Sequence, residues 1–146
     1  MAELKWLDAY GGQTVDELIA LAGDYRIDSL IVALEEAIGR KADPSDEEKL
    51  VLAVEALERE VNNGGYAQFF DNTPEYAPVI VDALVRIGCP RTAEITQKAV
   101  ELGSADDSEE RDDEWNRCDK LYYEAGEDIA SRLFEFVRTN RQAFQL

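Results

Sequence analysis

Residues 104–114 read Ser-Ala-Asp-Asp-Ser-Glu-Glu-Arg-Asp-Asp-Glu, seven acids and one base with nothing that could form a core. On a helix, Asp106, Glu109, Glu110 and Asp113 would share one face, their side chains about 5–6 Å apart. Such a row can pair with the Arg and Lys of a basic surface. Like charges at i,i+4 cost roughly 0.2–0.5 kcal/mol each, so the clustering asks for a reason. Solvation, service at helix starts, a bound cation and partner recognition are the candidates. A calcium loop is not among them, because the Asp-x-Asp-x-Asp-Gly spacing and its bidentate Glu are missing. Asp106, Asp107, Glu109, Glu110, Asp112, Asp113 and Glu114 are therefore the candidate partner-binding residues, with Asp119, Glu124 and Glu127 as extensions. A second set, Glu60, Asn62, Asn63, Gly64, Gly65, Gln68 and Asn72, puts one carboxylate and four amides around a glycine pair. It reads as scaffold, since side-chain amides satisfy stranded backbone groups at helix ends. Its alternative is a small pocket or catalytic centre built on Glu60, Asn63, Gln68 and Asn72. Amides supply neither a base nor a nucleophile at neutral pH.

The rest of the composition narrows the chemistry further. The chain has 146 residues, with 32 Asp+Glu against 15 Lys+Arg and no histidine, for a formal charge of −17. Without histidine, Ser-His-Asp and Cys-His catalysis are excluded and the commonest transition-metal ligand is gone. An excess of acid cannot release counterions from nucleic acid or anionic lipid, so direct binding to either is not expected, whereas a basic protein partner is. Cys89 and Cys118 lie too far apart, with no thiol or imidazole nearby, for a CxxC pair or a zinc site, and read as reduced core residues. No metal and no cofactor is expected. The N-terminal residues lack a basic and then apolar leader, and no run of 18 apolar residues exists, so a soluble cytoplasmic protein is predicted. At 45% hydrophobic content the chain should fold, and its length suits one domain over residues 1–146.

The elements that must position these residues are helical throughout. Leu4, Leu7 and Tyr10 predict a short first helix stopped by Gly11-Gly12. Thr14-x-x-Glu17 is a capping box opening a helix to about Ala22. Ile27, Leu30, Ile31, Leu34 and Ile38 make one apolar stripe ending at Gly39. Ser45 with Glu48 opens the next helix, whose buried face is Leu50, Val54, Leu57 and Val61. Gly64-Gly65 must break or kink it. Tyr66, Phe69 and Phe70 then fit a turn or two. Pro78 belongs near the first turn of a helix striped by Val79, Ile80, Ala83, Leu84 and Ile87, and Gly88 and Pro90 separate it from a shorter helix over 91–102. Residues 104–114 are a solvated linker or an exposed helix start. Trp115, Cys118, Leu121, Tyr122 and Ala125 resume the pattern, and Ile129, Leu133, Phe136 and Val137 form a last helix. An all-α, compact single-domain bundle of about eight or nine helices follows.

The stretch Glu60-Val61-Asn62-Asn63-Gly64-Gly65-Tyr66-Ala67-Gln68-Phe69-Phe70-Asp71-Asn72 resembles the signature of a bacterial helical family, formerly a domain of unknown function. That family is named after a DNA-mimic protein, the nineteenth of its series. Tyr76-Ala77-Pro78, Ala83-Leu84, Ile87-Gly88 and the 93–99 segment resemble its next helices. Asp119-Lys120-Leu121-Tyr122-Tyr123, Leu133-Phe134 and Arg138-Thr139-Asn140 are similar to its closing pattern, so the likeness covers about residues 45–141. The resemblance implies an all-helical monomer or homodimer with an acidic face that imitates the phosphates of duplex DNA. Phosphates climb about 3.4 Å per nucleotide along the axis, and more along the spiral path, a spacing comparable to that of carboxylates on a helix. The function expected is that of an acidic, non-enzymatic domain that competes for the DNA-binding surface of a basic transcription regulator or nucleoid protein.

Overall fold

The computed structural model describes residues 3–104 and 108–146. Among them the chain forms seven α-helices, two 3₁₀ turns and no strand: α1 Val15–Ala20, α2 Ile27–Gly39, α3 Asp46–Asn72, α4 Ile80–Arg86, α5 Pro90–Gly103, α6 Glu109–Glu124 and α7 Ile129–Thr139, with 3₁₀ turns at Pro74–Tyr76 and Arg141–Ala143. The fold is all-α, with slightly fewer helices than periodicity suggested. Contacts divide it into two compact units, Met1–Leu52 with Ile129–Leu146, and Ala53–Asp128.

In the first unit, both capping boxes form as the spacing required. The Glu17 amide donates to Thr14 Oγ1 at 3.1 Å and the Thr14 amide to Glu17 Oε1 at 3.0 Å. Glu48 and Ser45 exchange the same pair of bonds at 3.1 and 2.8 Å. Glu48 is fully buried, and Lys41 Nζ meets both of its carboxylate oxygens at 2.8 Å. Leu30, Ile31, Leu34 and Ile38 of α2 are buried, as are Leu133, Phe134 and Val137 of α7, which packs on α2.

The first helix expected, over Leu4–Tyr10, does not form. Lys5 instead exchanges backbone hydrogen bonds with Asp24 and Arg26, at 2.9 and 2.8 Å, and the Leu7 amide donates to Ser29 Oγ at 3.1 Å. Leu4 and Trp6 remain half exposed, so a helix here would gain little burial to offset the cost of nucleating so short a segment.

The second unit is built on the greater part of α3 with α4, α5 and α6. Val54, Leu57, Val61, Tyr66 and Phe69 of α3 are buried, with Ile80, Ala83 and Leu84 of α4, Ala93 and Ala99 of α5, and Trp115, Cys118 and Tyr122 of α6. α4 packs on α5, and α5 on α6. Two hydroxyls missed by an apolar-stripe reading, Thr92 and Thr96, complete the α5 face, and Thr96 Oγ1 lies 2.7 Å from Tyr66 Oη. The Trp115 indole donates to the Ala99 carbonyl at 3.0 Å. Cys89 and Cys118 are free and buried. Val79, placed in the α4 stripe by sequence, is 48% exposed because the helix starts only at Ile80. Pro90 takes the first position of α5, where its missing amide costs nothing.

Candidate functional site

α3 runs as one element from Asp46 to Asn72 but breaks direction at Gly64 (φ −153°, ψ 16°) and Gly65 (φ 77°, ψ −175°). Gly65 lies in the left-handed half of backbone space, which disfavours any side chain. A Cβ there would also sit 2.3 Å from Asp119 Oδ2. Asn-Asn-Gly-Gly is therefore a kink inside a helix, and the kink raises an accounting problem: its backbone groups need partners other than the helix ladder.

α6 supplies them. The Tyr66 N–H, which an unbroken helix would give to the Asn62 carbonyl, donates to Asp119 Oδ1 at 2.8 Å. The Val61 carbonyl, just before the break, accepts from Tyr123 Oη at 3.0 Å. Asp119 and Tyr123 are one helical turn apart on α6, so the two stretches 61–66 and 119–123 operate as one clamp. Tyr122 adds a third link, its hydroxyl donating to Glu58 Oε1 at 2.6 Å. Burial pushes the Glu58 carboxyl above its ordinary range against the opposing effect of the Tyr122 bond. Burial does the same to Asp119, opposed by the Tyr66 amide. The Tyr122 and Tyr66 hydroxyls are likewise pushed up, chiefly by burial. Tyr66 packs edge-on to Tyr122, and Phe70 stacks on Trp115, so aromatic contacts repeat the attachment.

The amides of the motif converge only in part. Gln68 Nε2 and Asn72 Nδ2 both donate to Glu60 Oε2, at 2.6 and 3.1 Å. These two bonds, the Gln68 one first, hold the Glu60 carboxyl below its ordinary range. A carboxylate so stabilised is a poor proton donor near neutral pH. Asn62 Nδ2 donates back to the Glu58 carbonyl at 2.5 Å, within its own helix, and Asn63 is exposed at the kink. Among the described residues, no group of three carboxylates or thiols is placed to hold a metal ion.

The acid run divides. Asp106 and Asp107 lie outside the described residues. Ser108 caps α6, its Oγ accepting from the Arg111 amide at 3.1 Å, so the acids that follow occupy the turn where the helix dipole favours negative charge. Glu109, Glu110, Asp112 and Asp113 are exposed over the first turns of α6. Glu114 is only half exposed and is paired, with Lys98 at 3.3 Å and with Arg117. Further along, the open face carries Arg117 and Lys120 before Glu124. Of the extensions, Asp119 is taken up by the clamp. Glu127 accepts from the Arg91 and Thr92 amides, at 3.1 and 2.7 Å, and from Thr92 Oγ1 at 2.8 Å, capping the start of α5. Sequence reasoning missed Glu58, Tyr122 and Tyr123 as parts of the site. Asp119-Lys120-Leu121-Tyr122-Tyr123 was visible as a pattern, but its partner lies more than fifty positions earlier.

A helical acidic domain whose one kinked helix is closed by side chains of another is the class these features define. The model of the family described as DMP19-like protein matches residues 42–140, and the chain belongs to that family. The matched region includes both halves of the clamp and the acid row. No curated protein and no solved structure matches the chain.

Proposed function

We propose that this protein is a non-enzymatic, acidic binding domain that stands in for DNA and competes for the DNA-reading surface of a basic transcription regulator or nucleoid protein. The family, named for a DNA mimic, supports the reading. The observation that carries it is the row Glu109, Glu110, Asp112 and Asp113, exposed on one helix whose far half is tied to both sides of the α3 kink. Glu109 and Asp113 are a turn apart, about 6 Å along the axis, in the range of phosphate spacing. Charges fixed in this way pair with Arg and Lys without the ordering cost that a flexible acidic tail would incur. The Asn62–Asn72 motif is scaffold in this reading, since Gln68 and Asn72 spend their amides on the Glu60 carboxylate and Asn62 donates to the Glu58 carbonyl. Among the described residues no helix is long and apolar enough to cross a membrane; the cytoplasmic setting in this reading follows from the proposed partners.

The test is competition. A basic DNA-binding protein captured by this chain should lose its DNA as the chain is added, with the effect fading as salt rises through physiological strength. The variant E109Q/E110Q/D112N/D113N should keep its helical circular dichroism and lose the competition. Undiminished displacement of DNA by that variant refutes the assignment.

A further inference from the structure

On the flank of α6 that meets α5, a groove of about 580 Å³ opens between the two helices. Cys118, fully buried, Ile95, half-buried, and Leu121, 44% exposed, line it with apolar atoms. A single surface leucine needs no explanation, but Leu121 forms one wall of a concave apolar lining. The rim is acidic. Glu94 and Glu101 stand on α5 two turns apart; Glu101 Oε1 accepts from Gln97 Nε2 at 3.0 Å, an exposed neutral bond that leaves its charge uncompensated, and Lys98 between the two acids is held 3.3 Å from Glu114. Along α6, Leu121 lies eight residues, about 12 Å, beyond Asp113 at the end of the acid row.

The geometry points to this groove as the docking site of a basic, amphipathic helix of a partner protein, which seats one apolar side chain against Ile95 and Leu121 and directs Arg or Lys to Glu94 and Glu101. This is the helix-in-groove mode of recognition. A second copy of this chain is the wrong occupant on charge, since each copy carries −17 and would bring acid to an acidic rim. The inference rests on the reading above that the partner is basic, and it adds discrimination. Exposed carboxylates attract any cationic surface, whereas the groove rewards only one with an apolar side chain in register.

The probe is a pair of short helical peptides with identical Arg content, one carrying Leu at i and i+4 and the other Ser. They are titrated into the isotope-labelled full chain and followed by amide shifts. The Leu peptide should bind at least about tenfold more tightly than the Ser peptide, perturb Ile95, Cys118 and Leu121, and lose that advantage against L121D, a substitution the exposed position tolerates. The E109Q/E110Q/D112N/D113N variant should retain the Leu-over-Ser ratio even as both affinities fall, which separates the groove from DNA competition. Equal binding of the two peptides, shifts confined to residues 109–113, an L121D chain that still prefers Leu, or sedimentation showing a dimer that L121D dissociates would each overturn the proposal.

Discussion

α6 carries two kinds of carboxylate, and their fates differ. Asp119 turns inward, meets a backbone amide and a glycine, and becomes part of the architecture. Glu109, Glu110, Asp112 and Asp113, two to three turns earlier on the same helix, face solvent. The residue types are interchangeable; the environments are not. An acid that closes a helix break is a structural device whatever its charge contributes to the field of the protein. An exposed acid stays available to a cation on another molecule, although Asp112 has Arg111 Nε within 4.0 Å. Counting −17 therefore overstates the surface available to a partner, because Glu48, Glu58, Glu60, Glu114, Asp119 and Glu127 each hold an internal bond.

The contrast is tested hardest at Gly65. G65A forces a side chain into left-handed backbone and into the Asp119 carboxylate, and should cost about 3 kcal/mol, read as a lowered urea midpoint. A midpoint within error of wild type means the kink relaxes freely and the clamp is incidental. Next, D119A strands the Tyr66 N–H and should cost about 1–3 kcal/mol, whereas D119N keeps an acceptor oxygen and should cost clearly less. Accelerated exchange of the Tyr66 amide in D119A, with protection restored in D119N, would locate the effect at the kink. Equal losses in both variants would transfer the role to the negative charge itself.

The smallest effect is in pH. Glu58 and Asp119 have folded carboxyls raised by burial, so the folded state holds protons that the unfolded chain releases. The stability they contribute is present below the ordinary carboxyl range and is lost as pH rises through their raised folded values. Glu60, lowered by its two amides, acts with the opposite sign, contributing above the ordinary range and losing that contribution as pH falls. E58Q keeps an acceptor for Tyr122 and cannot ionise. Its stability relative to wild type should therefore rise on going from mildly acidic to neutral pH, measured as a difference in urea midpoint. A difference that stays flat with pH would show that Glu58 is solvated in the folded protein.

Much of this architecture was legible in one dimension. The two capping boxes, the stripe of α2 and the site of the kink depend on neighbours within a few positions, and they appear where the sequence puts them; Pro90, read as part of the break between two helices, instead takes the first position of α5. The misses share a cause. The Leu4–Tyr10 segment has the right residue types for a helix, yet its amides and carbonyls find partners near Asp24 and Arg26, a competition no local pattern reveals. Thr92 and Thr96 are polar by type and buried by circumstance, each satisfied across the core of its unit by Glu127 or Tyr66. The motif amides were grouped with Glu60 from the sequence, and Gln68 and Asn72 do meet its carboxylate, but the closing residues on α6 were not paired with them.

Helical periodicity, glycine's backbone freedom and the reciprocal chemistry of caps act over three or four residues, and so the amino-acid order alone settled which segments coil and where one of them must bend. Which carboxylates remain open was decided only when distant segments met. The bond from Tyr66 to Asp119 joins positions 53 apart, and that from Thr92 to Glu127 joins positions 35 apart. A carboxyl group looks the same in sequence whether an amide awaits it or not, and only packing brings that amide within reach.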